Sequence, residues 1–165
     1  MLDLARYELP FFSELAAPLA NRNRSPAEPV RHWLADMSAA DGYLFLTPEY
    51  NYGVPAVLKN ALDFLAREAE GKPASILSYS DTAYGGNIAG HELRLTLNKL
   101  GMFPMPKSLP LPYADRMLDE DGTLAGESDL AAKLAAFVPA SLAELSRYAA
   151  LLRQARVPAA AGLAG

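Results

Sequence analysis

Two short runs hold the residue types from which a small-molecule site can be built. Pro48-Glu49-Tyr50-Asn51-Tyr52-Gly53 places two aromatic rings, an amide and a glycine side by side, and Ser78-Tyr79-Ser80-Asp81-Thr82-Ala83-Tyr84-Gly85-Gly86-Asn87 is a second stretch rich in small and aromatic residues. A tyrosine gives a flat apolar wall with one polar tip, and a glycine lets backbone amides approach a ligand closely. More familiar catalytic sets are missing. His32 and His91 each lack a second histidine at ligand spacing, and both read as structural or surface residues. No Gly-x-Ser-x-Gly elbow and no Gly-x-x-x-x-Gly-Lys-Ser/Thr run occurs. The acidic turn Asp119-Glu120-Asp121-Gly122 has its glycine where a calcium loop wants one, but Met117 takes the first ligand position.

The elements around these runs can be read from periodicity. Tyr43-Leu44-Phe45-Leu46 is brief, β-leaning and bounded by Gly42 and Pro48, which predicts a buried strand. Beyond the first run, Pro55 suits a first helical turn. Leu58, Ala61, Leu62, Leu65 and Ala69 then share one helical face, while Lys59, Asp63 and Arg67 lie four apart on another, as a charged face. Glu70-Gly71-Lys72-Pro73 stops that helix, and Ala74-Ser75-Ile76-Leu77-Ser78-Tyr79 predicts the next strand. Both candidate runs therefore sit at the carboxyl ends of parallel strands, where open α/β sheets bind ligands.

Elsewhere, Leu2–Tyr7 reads as a strand, Leu9–Phe12 as an apolar turn and residues 16–24 as a loop. Ser25-Pro26-Ala27-Glu28 has the form of a capping box, and Val30, Trp33, Leu34 and Met37 extend a helix over 26–38. Leu93, Leu97 and Leu100 line a helix that ends at Gly101. Prolines 104, 106, 110 and 112 confine any strand over 102–114 to a sheet edge. A helix is expected over 128–153, kinked or divided by Pro139, followed by a flexible tail over 154–165. Strands alternating with helices make one α/β domain over 1–153 with about four strands in a parallel sheet.

The chain has 165 residues, 51% of them hydrophobic, and a net charge of −4. That balance argues against nucleic acid or an anionic membrane surface as a partner. Cysteine is absent, removing thiolate chemistry and disulfides. No apolar run reaches the roughly 18 residues of a membrane span, and residues 1–4 do not open a secretory signal. The expected location is the cytoplasm.

The run Pro48-Glu49-Tyr50-Asn51-Tyr52-Gly53, then Pro55, then Leu58-Lys59-Asn60-Ala61-Leu62-Asp63, resembles the signature of the NADPH-dependent FMN reductase family of flavodoxin-like proteins. That family includes quinone, azo-dye and chromate reductases. Ser78-Tyr79, Gly85-Gly86 and the helix carrying Leu93, Arg94 and Leu97 fit as well, and weaker likeness continues through Leu111–Ala114. The resemblance implies a flavodoxin-like three-layer sandwich. It implies two loops that hold the isoalloxazine ring of FMN: Pro48, Glu49, Tyr50, Asn51, Tyr52 and Gly53 from one, Ser78, Tyr79, Gly85 and Gly86 from the other. The co-substrate would be NADPH or NADH, the electron acceptor a small molecule such as a quinone or free flavin, and the assembly a homodimer or homotetramer.

One departure accompanies the match. The family pattern begins with a strand, a phosphate-holding loop and a helix, and this chain starts at the pattern's second strand, so the expected fold lacks the first strand and helix. Leu2–Tyr7 is then expected to pair poorly or abnormally. Losing three charge-assisted hydrogen bonds of about 1.5–3 kcal/mol each would weaken FMN on the order of a thousandfold or more. Two readings follow: an NAD(P)H-dependent FMN oxidoreductase, or a flavin-free remnant that is soluble or dimerising and has no catalytic role.

Overall fold

The computed structural model describes residues 1–21, 23–119, 121–124 and 129–156. Arg22 of the loop, Glu120 of the acidic turn, Ser128 at the expected start of the last helix and residues 157–165 of the expected tail lie outside the described residues.

A parallel sheet forms the centre. Strand β1 (Tyr43–Pro48) pairs along its whole length with β2 (Pro73–Tyr79), from Tyr43 opposite Ala74 to Pro48 opposite Tyr79. The other side of β2 is shared by two short strands, β3 (Phe103–Pro104) near its start and β4 (Leu109–Leu111) near its end. Both are edge pieces, as the prolines require, and the interruption between them explains why one expected strand becomes two.

Helices cover both faces. Helices α1 (Glu28–Ala39), α2 (Ala56–Asp63) and α3 (Asn87–Lys99) bury Val30, Trp33, Met37, Leu58, Leu62, Leu93 and Leu97 in one core with Tyr43, Phe45, Ala74 and Ile76 of the strands. On the opposite face Leu77, Tyr79 and Leu111 pack with Met117 of the short α4 (Ala114–Met117) and with Ala131 and Leu134 of α5 (Asp129–Arg156). Leu44 and Leu46 point to that second face too, yet remain 40% and 61% exposed. Among the described residues, β1 has no strand on its outer side.

Several elements depart from expectation for local reasons. Leu2–Tyr7 is not a strand. Asp3 accepts from the Ala5 amide at 3.1 Å and starts a 3₁₀ turn over Leu4–Arg6, so backbone groups without a neighbouring strand are satisfied locally. Tyr7 then stacks edge-on against Trp33 and donates to Asp36. Helix α1 starts at Glu28 with Ala27 as its uncapped N-cap. A start at Pro26 would put Pro29 where the first intrahelical N–H is needed, whereas a start at Glu28 leaves Pro29 in the tolerant first turn. Helix α2 stops at Asp63, so Lys59 pairs with Asp63 at 2.6 Å but Arg67 turns to Glu70 at 2.9 Å. Helix α5 runs unbroken through Pro139, which lies on its exposed side where the freed carbonyl can take water, and continues to Arg156. Gly101, at φ +76°, closes α3 with the Met102 amide bonded back to the Leu97 carbonyl at 3.0 Å.

The amino-terminal end of the sheet is fastened by charge. Lys72 is 6% exposed and donates to the carbonyls of Met37 (2.8 Å) and Ser38 (2.7 Å) at the end of α1. Arg156 reaches both Asp41 (2.7 Å) and the Gly71 carbonyl (2.9 Å). These contacts leave the opposite, carboxyl end of the strands free to carry loops.

Candidate functional site

The first loop is a reversal built on a type I′ turn. Tyr50 and Gly53 exchange backbone hydrogen bonds in both directions, at 3.0 and 2.9 Å, and between them Asn51 and Tyr52 hold φ +51° and +67°. Asparagine tolerates this left-handed region. For tyrosine it costs about 1–2 kcal/mol, and Gly53, one position later, does not share the positive φ. The strained conformation leaves Tyr52 68% exposed, and Tyr50 and Asn51 are exposed with it. Pro48, Glu49 and Gly53 are half-buried beneath them.

The second loop is built differently. Ser80 Oγ and Thr82 Oγ1 lie 2.9 Å apart, and they accept from the amides of Thr82 and Tyr84 at 3.3 Å, which forms successive small turns. Gly85 and Gly86 are buried, at φ +60° and +73°. A Cβ on Gly85 would lie 2.7 Å from backbone atoms of Leu111 and Pro112, and one on Gly86 would lie 2.8 Å from the Tyr79 carbonyl. The paired glycines thus let the loop fold down onto the ends of β2 and β4. Ser78 is also buried, its Cβ and Oγ under Gly86 and Gly90, so its side chain supports α3 instead of facing the loops.

Direct bonds join the loops. The Glu49 amide donates to the Tyr79 carbonyl at 3.1 Å, and Glu49 Oε2 accepts from the Ala89 amide at 2.9 Å. A third segment closes the group: Ser80 N bonds to Leu111 O at 3.2 Å, Tyr113 N to Thr82 O at 3.2 Å, and Ala114 N to Ser80 O at 2.9 Å. All ten expected residues, 48–53, 78, 79, 85 and 86, therefore gather at the carboxyl ends of β1 and β2. Two tyrosines outside that set lie in the same group of loops. Tyr84 is exposed at the tip of the second loop, and Tyr113 has φ +52° in the third. Tyr84 is visible in the sequence as an aromatic in a glycine-bounded loop; nothing near Tyr113 signals a left-handed residue.

The electrostatics are those of a neutral to acidic aromatic surface. Burial, with the Tyr50 phenol beside it, raises the Tyr79 phenol above its ordinary pKa. No lysine or arginine occurs in residues 47–56 or 78–90. The α3 amide of Ala89 is already taken by Glu49, and α2 is preceded by Pro55, which has no N–H to offer. The rings and amides suit a flat, uncharged group, and the described residues of the first two loops carry no cation for a phosphate, while beside the third segment the Arg116 guanidinium lies 5.5 Å over the Tyr113 ring. An open cleft of about 480 Å³ elsewhere on the chain is lined by Met1, Asp3, Tyr7, Glu28, His32 and Asp36. Among the described residues no cluster of histidine or carboxylate side chains could hold a metal ion.

A family model described as NADPH-dependent FMN reductase matches residues 1–116. The chain belongs to the NADPH-dependent FMN reductase family. Members similar to it include an NAD(P)H-dependent FMN reductase of Schizosaccharomyces pombe, 35% identical over 113 residues that make up 67% of this chain and 56% of the relative. A quinone reductase of Pseudomonas putida is 35% identical over 117 residues, 65% of this chain and 62% of that protein. The chain thus spans a little over half the length of these curated relatives. In structure it is similar to FerB, a flavoenzyme NAD(P)H:(acceptor) oxidoreductase from Paracoccus denitrificans, with a TM-score of 0.65 at 23% identity over 89% of this chain and 76% of that one. That likeness shows the flavodoxin-like fold of the family.

Proposed function

We propose that this member of the family carries the ring-binding part of an NAD(P)H-dependent FMN oxidoreductase acting on a small acceptor such as a quinone or free flavin. The observation that carries the reading is the strained I′ turn, which holds Tyr52 outward at the carboxyl end of β1 at a conformational cost of about 1–2 kcal/mol. When bound, FMN supplies two-electron chemistry between a nicotinamide and the acceptor. The chain's own contribution is to orient and to exclude water. Tyr50 and Tyr52 wall one side of a flat ligand, Asn51 and the free amides of the two loops offer hydrogen bonds to its edge, and Pro48, Tyr79, Gly53, Gly85 and Gly86 form the floor beneath. No side chain has to move a proton. The similar proteins of Schizosaccharomyces pombe and Pseudomonas putida, an NAD(P)H-dependent FMN reductase and a quinone reductase, support this reading.

The phosphate of FMN has no cation in these loops, so the proposal includes a polypeptide segment against the open side of β1 that supplies it. We also propose a homodimer or homotetramer, supported by Val57 of α2 and Ile88 and Leu95 of α3, all large apolar side chains left exposed on helices that flank the tyrosines. No described helix is long and apolar enough to cross a membrane. A cytoplasmic location completes the proposal, since a cysteine-free chain is at home in a reducing compartment.

Titration of free FMN with the purified chain, read by flavin fluorescence and by absorbance retained through gel filtration, tests this reading. Quenching at high protein concentration is expected, with little flavin retained through gel filtration while the phosphate has no cation to hold it. A colourless protein that leaves FMN fluorescence untouched would instead favour the flavin-free reading, which the absence of a loop cation supports.

A further inference from the structure

Building on the flavin reading above, we infer that Glu49 is a positioning residue that fixes the separation of the two loops and does not itself touch the ring. It is held at both ends. Its amide donates to Tyr79 at 3.1 Å and its carboxylate accepts from Ala89 at 2.9 Å, 40 residues along the chain. Ala89 is the third residue of α3, so its amide is one of those without a partner inside the helix. The first inward bond of α3 is that of Gly90, to Gly86 at 3.0 Å. The Glu49 carboxylate therefore satisfies a donor that would otherwise be orphaned next to a buried alanine, and its charge faces the positive end of the helix.

The consequence for the site is geometric. Glu49 immediately precedes the Tyr50–Gly53 turn, so its carboxylate fixes where the turn begins relative to α3. The far end of the same turn is held close as well: a Cβ on Gly53 would lie 3.0 Å from Glu92 Oε2, one helical turn further along α3. Both ends of the tyrosine turn thus abut α3, whose N-cap is Gly86. The distance between the ring walls and the glycine floor is set by this attachment, and a carboxylate engaged with a buried amide is turned away from any ligand.

The test compares the full chain with Glu49→Gln and Glu49→Ala, measuring amide hydrogen exchange at Ala89 and at 50–53 alongside FMN fluorescence quenching. Loss of a charge-assisted hydrogen bond predicts exchange at Ala89 faster by about tenfold or more in Glu49→Ala, with FMN affinity falling by a similar factor. In Glu49→Gln the carboxamide oxygen still accepts the N–H, so both readouts return to within about threefold of wild type. Unchanged exchange in the alanine variant overturns the inference, as does a glutamine variant as impaired as the alanine one. Unchanged FMN affinity in the alanine variant, when the wild-type chain binds FMN, overturns it too. If the wild-type chain does not quench FMN, the flavin reading fails while the exchange data still decide whether Glu49 is the clamp.

Discussion

Pro48 stands directly opposite Tyr79 across the parallel β1–β2 ladder. That register pair turns two loops from distant parts of the sequence into one surface, because each strand ends where the other does and both chains must reverse above the same sheet edge. The bond from the Glu49 amide to the Tyr79 carbonyl continues the ladder one step further, so the loops diverge only at Tyr50 and Ser80. The consequences can be measured one residue at a time.

Tyr52 carries the conformational cost of the first loop. Tyr52→Gly gives the turn the favoured Asn-Gly I′ sequence, and relief of about 1 kcal/mol predicts a melting temperature higher by about 2–4 °C. The same substitution removes an exposed ring from the loop surface and is expected to weaken FMN quenching. A variant both less stable and equally quenching would show that the turn conformation has nothing to do with the ligand.

The paired glycines are expected to be intolerant of any side chain. Gly85→Ala and Gly86→Ala each drive a methyl to within 3 Å of backbone atoms and also impose a positive φ on alanine. A loss exceeding about 2 kcal/mol is expected from each by urea denaturation. Gly122→Ala is the control, since φ is +81° there but a Cβ meets nothing within 4 Å, and only the φ cost of about 1–2 kcal/mol should appear.

Alkaline stability should pass through a maximum. Burial lowers the Lys72 pKa in the folded chain, with the nearby Arg156 guanidinium adding to the effect, so the unfolded state binds more protons as pH approaches 10 from below and stability rises there. Burial raises the Tyr43 phenol well above its ordinary value, so above pH ~10 the unfolded state loses a proton that the folded one keeps, and stability falls by up to about 1.4 kcal/mol per pH unit. Tyr43→Phe should make the descending limb shallower, leaving the share of Tyr7 and Tyr79, whose phenols are also raised, and Lys72→Met should flatten the rising one, as followed by urea midpoints between pH ~8 and ~12. A profile unchanged by both substitutions would contradict the assignment.

The bare side of β1 should be adhesive. Its sequence from Tyr43 to Thr47 has no charge and no proline, and Leu46 and Leu44, the latter beside Phe137 and Leu142 of α5, add exposed apolar surface. Leu46→Lys is expected to reduce concentration-dependent association measured by light scattering without lowering the melting temperature by more than about 1 °C. Equal association in the variant would point to the α2–α3 face instead.

How much of this is legible in the sequence depends on the range of the forces involved. Strands β1 and β2, helix α3 and the placement of residues 48–53 and 78–86 at one sheet end follow from apolar periodicity and the βα order, both of which are local. Leu2–Tyr7 misleads because leucine and tyrosine alternating with charged residues reads as a strand wherever it lies, and only a partner strand makes it one. The capping box at Ser25 misleads because Pro29 overrides it. Neither the I′ turn nor the Glu49–Ala89 bond leaves a trace in spacing: the glycine that would mark the turn sits one position late, and the carboxylate's partner is 40 residues away. Gly85 and Gly86 stand out as a pair in the sequence, but the structure shows that their immediate task is packing against Leu111 and Tyr79.

Arg156 ends the described chain bound to Asp41 and to the Gly71 carbonyl, beside the first residues of β1 and β2. The tyrosine surface crowns the other pole of the same strands. A tether attached after Arg156, whether to a resin, an electrode or a fluorescent reporter, would therefore present the loops outward, leaving them open to solutes in the surrounding buffer.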